Sequence, residues 1–397
     1  MSLHRPTILQ IIPRLDTGGA ERTTLEITEA ITNAGGRALV ATEGGGLLPK
    51  LLEAGGEFIE MNVGAKNPAV IASNIFKLRS LIHKENIDLL HARSRAPAWS
   101  ALAASRMTAR PFVTTYHGAY TERSKAKRLY NSIMARGDLV IANSNYIASQ
   151  IRSRYDTDSS RVRTIYRGLD QGFDPSKVSA ERLAAVRAQW GVRTDQPIIL
   201  HAARMSNRKG QSTLISAAGL IASKPELGDW VVILAGDPRG RETYIEELNS
   251  QIASAGLQQR IRFVGRANDM AAACLASHVA VTASVEPEAF GRVAAEAEAM
   301  ECPVIATDIG GAPETVRAEP KVGPGEITGW LVPPGDAEAL ARCLDAALRL
   351  SEAERTAIGQ RARAYVMERF TLTAMQQATL KVYDTLLGTN MAQQTQP

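Results

Sequence analysis

The feature that most constrains this chain is a rhythm that runs through it twice. Apolar segments of three to six residues, rich in Ile, Leu, Val and Ala, recur at 7–12, 38–42, 58–61, 89–91, 112–116 and 139–142, with helix-length stretches between them. The theme restarts at 197–202 and continues at 230–235, 260–264, 279–282, 303–307 and 329–332. Strands this short that are apolar throughout are buried on both faces, so the alternation implies parallel sheets with helices on either side. At 397 residues the chain exceeds one ordinary core, and the stretch 168–196, with Gly, Asp and Pro at its ends and one helix within, breaks the rhythm. Two doubly wound α/β domains are the expectation, with ligands taken at the carboxyl ends of the strands.

Composition narrows the function classes. The chain is 45% hydrophobic and 22% charged, the balance of a packed protein rather than a disordered one. No apolar run approaches the roughly 18 residues of a membrane span. The opening MSLHRPTILQII meets Pro13 and Arg14 too soon for a secretory core, and the three cysteines are odd in number and scattered. A secreted, fibrous, disordered or membrane-spanning protein is thereby excluded, and a cytoplasmic one is expected.

Charge is split unevenly. Residues 1–194 hold 27 Lys and Arg against 17 Asp and Glu, whereas 195–397 hold 19 against 24. The basic half suits an anionic partner, although drift in surface composition would give the same count. Arg123, Lys125, Lys127, Arg128 and Arg136 cluster with Leu129, Ile133 and Met134 at helical spacing, the pattern of a basic amphipathic helix on a membrane surface. Nucleic acid is not expected, since no binding module or basic-aromatic stripe is present.

Three loops could carry chemistry. In RLDTGGAER, residues 14–22, Gly18 and Gly19 precede a helix, where backbone N–H groups can face an anion. A bare Gly-Gly also serves as a turn. In ARMSNRKG, residues 203–210, Arg204 ends a strand and Lys209 follows five residues on, able to grip a diphosphate from two sides through charge-assisted bonds of about 1.5–3 kcal/mol each. A solvated basic loop reads the same way. In EPEAFGRVAAEAEAM, residues 286–300, Gly291 marks the turn into a helix, with Glu288 before it and Glu296 inside it. These carboxylates can hold sugar or ribose hydroxyls, while the N–H groups of Phe290, Gly291, Arg292 and Val293 are placed for phosphate. Glu296 and Glu298 as solvated helix residues is the competing reading.

Taken together, GGAER at 18–22, HG at 117–118, ARMSNRKG at 203–210, EAFGRVAAE at 288–296 and PVIATDIGGAPE at 303–314 resemble glycosyltransferase family 4, the group 1 glycosyltransferases, over nearly the whole chain. The pair Glu288 and Glu296, with seven residues between them, is similar to that family's E-x7-E motif. HARSRAPAW at 91–99 and YNSIMARGD at 130–138 look like an envelope-assembly branch from alphaproteobacteria.

The resemblance implies the GT-B architecture: two Rossmann-like doubly wound parallel-sheet domains facing across a cleft. Residues 1–180 would form the acceptor-side domain, 181–196 a linker region, 197–368 the nucleotide-sugar domain, and 369–390 a C-terminal helix packing back on the first domain. It implies a retaining hexosyltransferase, with a UDP- or GDP-hexose as co-substrate and no required cofactor or metal. Arg204 and Lys209 match the groups that neutralise the leaving diphosphate, Glu296 the ribose ligand, and Glu288 the residue that orients the donor sugar. Gly18, Gly19 and residues 290–293 match phosphate and sugar contacts, and His117 a donor-sugar contact. The acceptor expected is an anionic glycan or glycolipid such as a lipopolysaccharide core. Arg93, Arg95, Arg123, Lys125, Lys127 and Arg128 would lie on the acceptor or membrane side, with peripheral contact to the inner face of the cytoplasmic membrane.

Where many relatives have Asn-Gly, this chain has Arg167-Gly168, expected to add positive charge near the cleft. A nucleotide-sugar 2-epimerase of the same fold and a catalytically dead nucleotide-sugar sensor are the rival readings. Asp156-Thr-Asp158 imitates a metal-binding DxD motif, but sits in a polar loop between a helix and a strand and reads as a turn. Cys274 and His278 are read as part of a packed helix, and the final MAQQTQP as frayed.

Overall fold

A computed structural model describes residues 5–16, 18–120, 122 and 124–394. The chain divides into two units, one formed by residues 1–168 with 372–397 and the other by 169–371.

In the first unit the strands are β1 (Thr7–Ile11), β2 (Arg37–Thr42), β3 (Glu57–Glu60), β4 (Leu89–Ala92), β5 (Phe112–Tyr116), β6 (Leu139–Ala142) and β7 (Val162–Thr164), in the order β3-β2-β1-β4-β5-β6-β7 and parallel throughout. The second holds β8 (Ile198–Ala202), β9 (Val231–Ala235), β10 (Ile261–Gly265), β11 (Val279–Thr282), β12 (Val304–Thr307) and β13 (Gly329–Val332), in the order β10-β9-β8-β11-β12-β13, again all parallel. Each sheet grows outward from its first strand and then crosses to the other side. The order therefore reverses between β1 and β4 in one unit and between β8 and β11 in the other. Loops leaving these strands diverge there and open a crevice.

The core of the second unit sets Ile199, Val232, Leu234, Val281 and Ile305 against Leu214, Ala218, Leu340 and Leu344 from its helices. That of the first sets Ile8, Leu89, Val113 and Ile141 against Ile27, Ile31, Leu380 and Tyr383. Tyr383 comes from the helix Leu372–Leu387, whose Gln376 also donates to the Glu26 carbonyl at 2.9 Å.

Several expectations need correction. The chain passes between units after Gly168, not in the stretch 181–196. The helix Ala180–Gln189, read as linker, belongs to the second unit, where Arg182 pairs with Asp269 at 2.7 Å. The basic helix is shorter than its charge pattern suggested. It spans only Lys125–Ser132, then tightens into a 3₁₀ turn at Ile133–Ala135 whose Ile133 and Met134 are fully buried, leaving Leu129 alone facing solvent. Arg123 lies outside the described residues. The C-terminus is not frayed through 391–394: Met391–Gln394 forms a short helix, Met391 and Ala392 are buried, and both donate backbone N–H bonds to Asp384. Asp156 ends one helix in left-handed backbone, and Asp158 starts the next turn by accepting the Ser160 N–H at 2.8 Å.

Candidate functional site

In the second unit three loops meet beyond the β8–β11 crevice. The β8 loop, 203–210, ends at Gly210, whose φ of +71° and approach to Ala283 (an added Cβ would sit 1.8 Å from its carbonyl oxygen) admit only glycine. The β11 loop docks on it: Val285 donates to the Arg208 carbonyl at 3.0 Å, Arg208 pairs with Glu286 at 2.7 Å, and Lys209 Nζ reaches Glu288 Oε1 at 2.7 Å. The loop after β12 closes from the third side, with the Gly311 N–H donated to the Glu288 carbonyl at 2.8 Å. The PVIATDIGGAPE segment thus positions Glu288 through its backbone.

Glu288 is held from all sides. Burial pushes its carboxyl up, but the Lys209 ammonium and its hydrogen bond, with a bond from the Ser284 hydroxyl, outweigh this and hold it below the usual carboxylate range. Behind the pair His201 is fully buried. Its Nδ1 donates to the Val281 carbonyl at 2.8 Å, and burial, reinforced by the Lys209 charge, depresses it to about 4, so the ring is neutral. His201 and Ser284 were missed in the sequence; neither belongs to a motif, and only their places at the ends of β8 and β11 could have pointed to them.

The helix Arg292–Ala299 begins at Gly291, which turns at φ +95°, and no side chain caps its start. Phe290 faces inward, its ring edge-on to Phe370 at 5.2 Å, so only its backbone is available to a ligand. Arg292 Nε meets Glu296 Oε1 at 2.7 Å, and Glu296 is 6% exposed. Glu298 is fully buried, accepts a 2.7 Å bond from Thr328, and is pushed well above the carboxylate range by burial. Neither glutamate is a solvated helix residue. Arg204 is exposed, and its guanidinium has no hydrogen bond or ion pair among the described residues; its carbonyl accepts from Gln211 at 2.9 Å.

The first unit presents a second crevice between β1 and β4, a cavity of about 430 Å³ reached by Arg14, Glu21, Arg93, Arg95, His117 and Tyr120 among others. Arg167 is 7% exposed and turns into this unit. It donates to the Gly19 carbonyl, to Thr23 Oγ1 at 2.5 Å, and to His117 Nδ1 at 2.8 Å. It is therefore a buried strut of the Gly18-Gly19 loop, and the charge expected near the cleft is spent on His117 and this loop rather than left in solvent. With Nδ1 accepting, the His117 proton sits on Nε2. Burial and the Arg167 and Arg93 charges keep the ring well below its ordinary value and hence neutral. Gly18 gives the Glu21 carboxylate room, since a Cβ there would lie 2.0 Å from it.

The basic residues of the first half fall into two groups. Arg93 and Arg95 reach the crevice. Lys125 and Arg128 line a separate open groove of about 840 Å³ with Arg106, Arg136, Arg154 and Arg161, and Lys127 is exposed on the same short helix.

Two Rossmann-like parallel sheets, each with charged loops at its switch point, define a doubly wound α/β protein with a candidate ligand crevice at the strand ends of each unit. Comparison with known proteins gives the class a family. Residues 17–173 match the model described as Glycosyltransferase Family 4, and 184–365 that of Glycosyl transferases group 1. A crystal structure of a glycosyltransferase from Rickettsia africae ESF-5 is 35% identical, covers 98% of this chain and 100% of its own, and superposes at a TM-score of 0.88. Anabaena Alr3699/HepE, solved with UDP and glucose, is 25% identical over 96% of this chain and all of its own, at a TM-score of 0.80. The D-inositol 3-phosphate glycosyltransferase of Nocardioides sp. is 33% identical over 197 residues, 47% of this chain and 42% of the relative, so the match spans less than half of that protein. The chain belongs to glycosyltransferase family 4, the group 1 glycosyltransferases, and has the GT-B architecture.

Proposed function

We propose that this protein is a retaining hexosyltransferase that moves a hexose from a UDP- or GDP-sugar to an anionic envelope glycan or glycolipid, such as a lipopolysaccharide core. The observation that carries the reading is the Lys209–Glu288 pair at the β8–β11 switch point, beside the uncapped start of the helix Arg292–Ala299. The UDP and glucose bound by the Anabaena neighbour support a nucleotide-sugar donor.

In this reading the second unit takes the donor. Lys209 and the unpaired Arg204 face the diphosphate, the N–H groups of Gly291 and Val293 add to them, Glu296 takes the ribose hydroxyls, and Glu288 orients the hexose. The bond from the anomeric carbon to the diphosphate oxygen breaks. The acceptor oxygen attacks from the same face, and its proton passes to the departing phosphate. Negative charge grows on the leaving group, so preorganised cations there lower the barrier most. His117, neutral with its proton on Nε2, keeps a ring N–H that meets no acceptor among the described residues and can donate to a sugar hydroxyl, beside Gly18 and Gly19 in the first unit. The first unit takes the acceptor. The short helix with Lys125, Lys127, Arg128 and exposed Leu129 would rest on an anionic membrane surface.

The test is product analysis by NMR with UDP- and GDP-hexoses, with and without acceptor. An α-linked product from an α-linked donor supports the reading. Inversion, or epimerised nucleotide sugar without transfer, contradicts it.

A further inference from the structure

The crevice between β1 and β4 is built around two arginines, Arg93 and Arg95, that make no direct ion pair among the described residues; the Glu26 carboxylate acts on Arg93 only through space. Arg93 is 2% exposed, yet among the described residues no carboxylate pairs with it. Its Nε and Nη2 donate only to the amide oxygen of Gln10, itself fixed by bonds from its own Nε2 to the Thr24 carbonyl and Thr28 Oγ1. A buried guanidinium whose only hydrogen-bond partner is a neutral amide is an expensive arrangement, because removing a charge from water is repaid poorly by a dipole and by a carboxylate that it does not touch. Two residues on, Arg95 is half-buried and makes no ion pair among the described residues. Its guanidinium lies 4.0 Å from the Tyr120 ring centroid and donates to Asn131 Oδ1 at 2.7 Å. Both reach the same cavity, at the start of the 14-residue helix Arg95–Thr108, whose N-cap Ser94 makes no capping bond.

The other charges there do not cancel them. Arg14 and Asp16 pair with each other at 2.9 Å, His117 is neutral, and Glu21 folds over Gly18. With Arg167 beside His117 and Glu26 acting on Arg93 through space, three arginines face two carboxylates, Glu21 and Glu26, and the charge left over is positive.

We propose that this crevice is an anion subsite: Arg93 and Arg95 receive a phosphate or carboxylate group carried by the acceptor. The ligand supplies the direct ion pair that neither arginine makes within the chain's described residues. Arg95, with its planar fork free to reorient off Asn131, forms a bidentate contact, and the backbone N–H groups after Ser94 complete it. A neutral acceptor would leave Arg93 as it stands and gain little. The subsite therefore selects charged acceptors over neutral ones, deepening the reading of the first unit as the acceptor side, on which it rests.

The experiment measures binding of glucose 6-phosphate, glucuronate and glucose to the full chain by ligand-observed NMR, each with and without saturating UDP. One of the charged sugars is expected to bind at least tenfold more tightly than glucose, and which one it is decides between phosphate and carboxylate. UDP should not displace it, and Arg95→Met should abolish the preference while UDP still binds. Arg93→Met should do the same; if it does not fold, Arg95→Met decides alone. Equal binding of all three sugars, displacement by UDP, or an unchanged preference in Arg95→Met would overturn the proposal. A charged-sugar preference in a protein that fails to bind UDP faults the donor assignment and leaves this subsite standing.

Discussion

The two switch points handle positive charge in opposite ways. At β8–β11 the cation arrives with its partner: Lys209 is bonded to Glu288, and a turn further on Arg292 is bonded to Glu296. At β1–β4 the two arginines that reach the cavity donate to neutral groups: Arg93 to Gln10, and Arg95 to Asn131 with its guanidinium over the Tyr120 ring. A paired crevice keeps its geometry whether or not a ligand is present, which suits chemistry that needs preorganised charge. An unpaired one is completed by its ligand, which suits selection.

The largest effect should come from breaking the pair. Lys209→Met is expected to reduce turnover by about a hundred- to a thousandfold, the scale for losing one preorganised charge donor. Because it strands Glu288 without its ammonium, the double variant K209M/E288Q should recover thermal stability but not turnover. Recovery of both would make the pair structural and erase the contrast.

Next in size, Arg167→Ala removes the donor shared by Gly19, Thr23 and His117 and should cost about 2–3 kcal/mol of stability, measured by urea unfolding. Arg167→Lys, unable to span all three acceptors, should recover only part of it. A loss no larger than at a surface arginine such as Arg128 would mean that the first crevice is not organised by this strut.

The smallest effects are pH effects confined to the second unit. Glu298 is raised in the folded state, so its contribution to stability is present at low pH and lost as pH rises above the unfolded value of about 4.5. Glu298→Gln keeps the Thr328 bond and should raise Tm by roughly 2 °C at pH 8, as about 1 kcal/mol does in a domain of this size, with less gain at pH 5. His201 has the opposite sign. Its folded value of about 4 lies below the ordinary 6.5, so it costs stability as pH falls from 6.5 toward 4, and His201→Gln should flatten that acid limb. Scanning calorimetry from pH 4 to 8 checks both slopes.

How far the sequence reveals this architecture depends on the range of the interaction involved. Strands were legible because a buried parallel strand is a local apolar run. Val162–Thr164 escapes a reading of the sequence because three residues at a sheet edge carry too little pattern, Arg163 among them. The helix 125–132 was over-read because Leu129, Ile133 and Met134 fit one helical face, while the backbone tightens at Ile133 and turns two of them into the core. The glutamate pair and Lys209 were legible as motifs, but their contact joins residues 79 apart. Burial of Glu298 depends on Thr328, thirty residues on, and the role of Arg167 on partners up to 148 residues away. No local pattern encodes such contacts.

The most direct test of the central contrast is calorimetric titration of UDP and GDP into the wild-type protein, Lys209→Met and Arg95→Met. The account expects one nucleotide to bind the wild type, its affinity to fall at least tenfold in Lys209→Met, and Arg95→Met to bind it normally. Equal loss in both variants, or loss only in Arg95→Met, would place the nucleotide in the wrong crevice and contradict the division of labour drawn here.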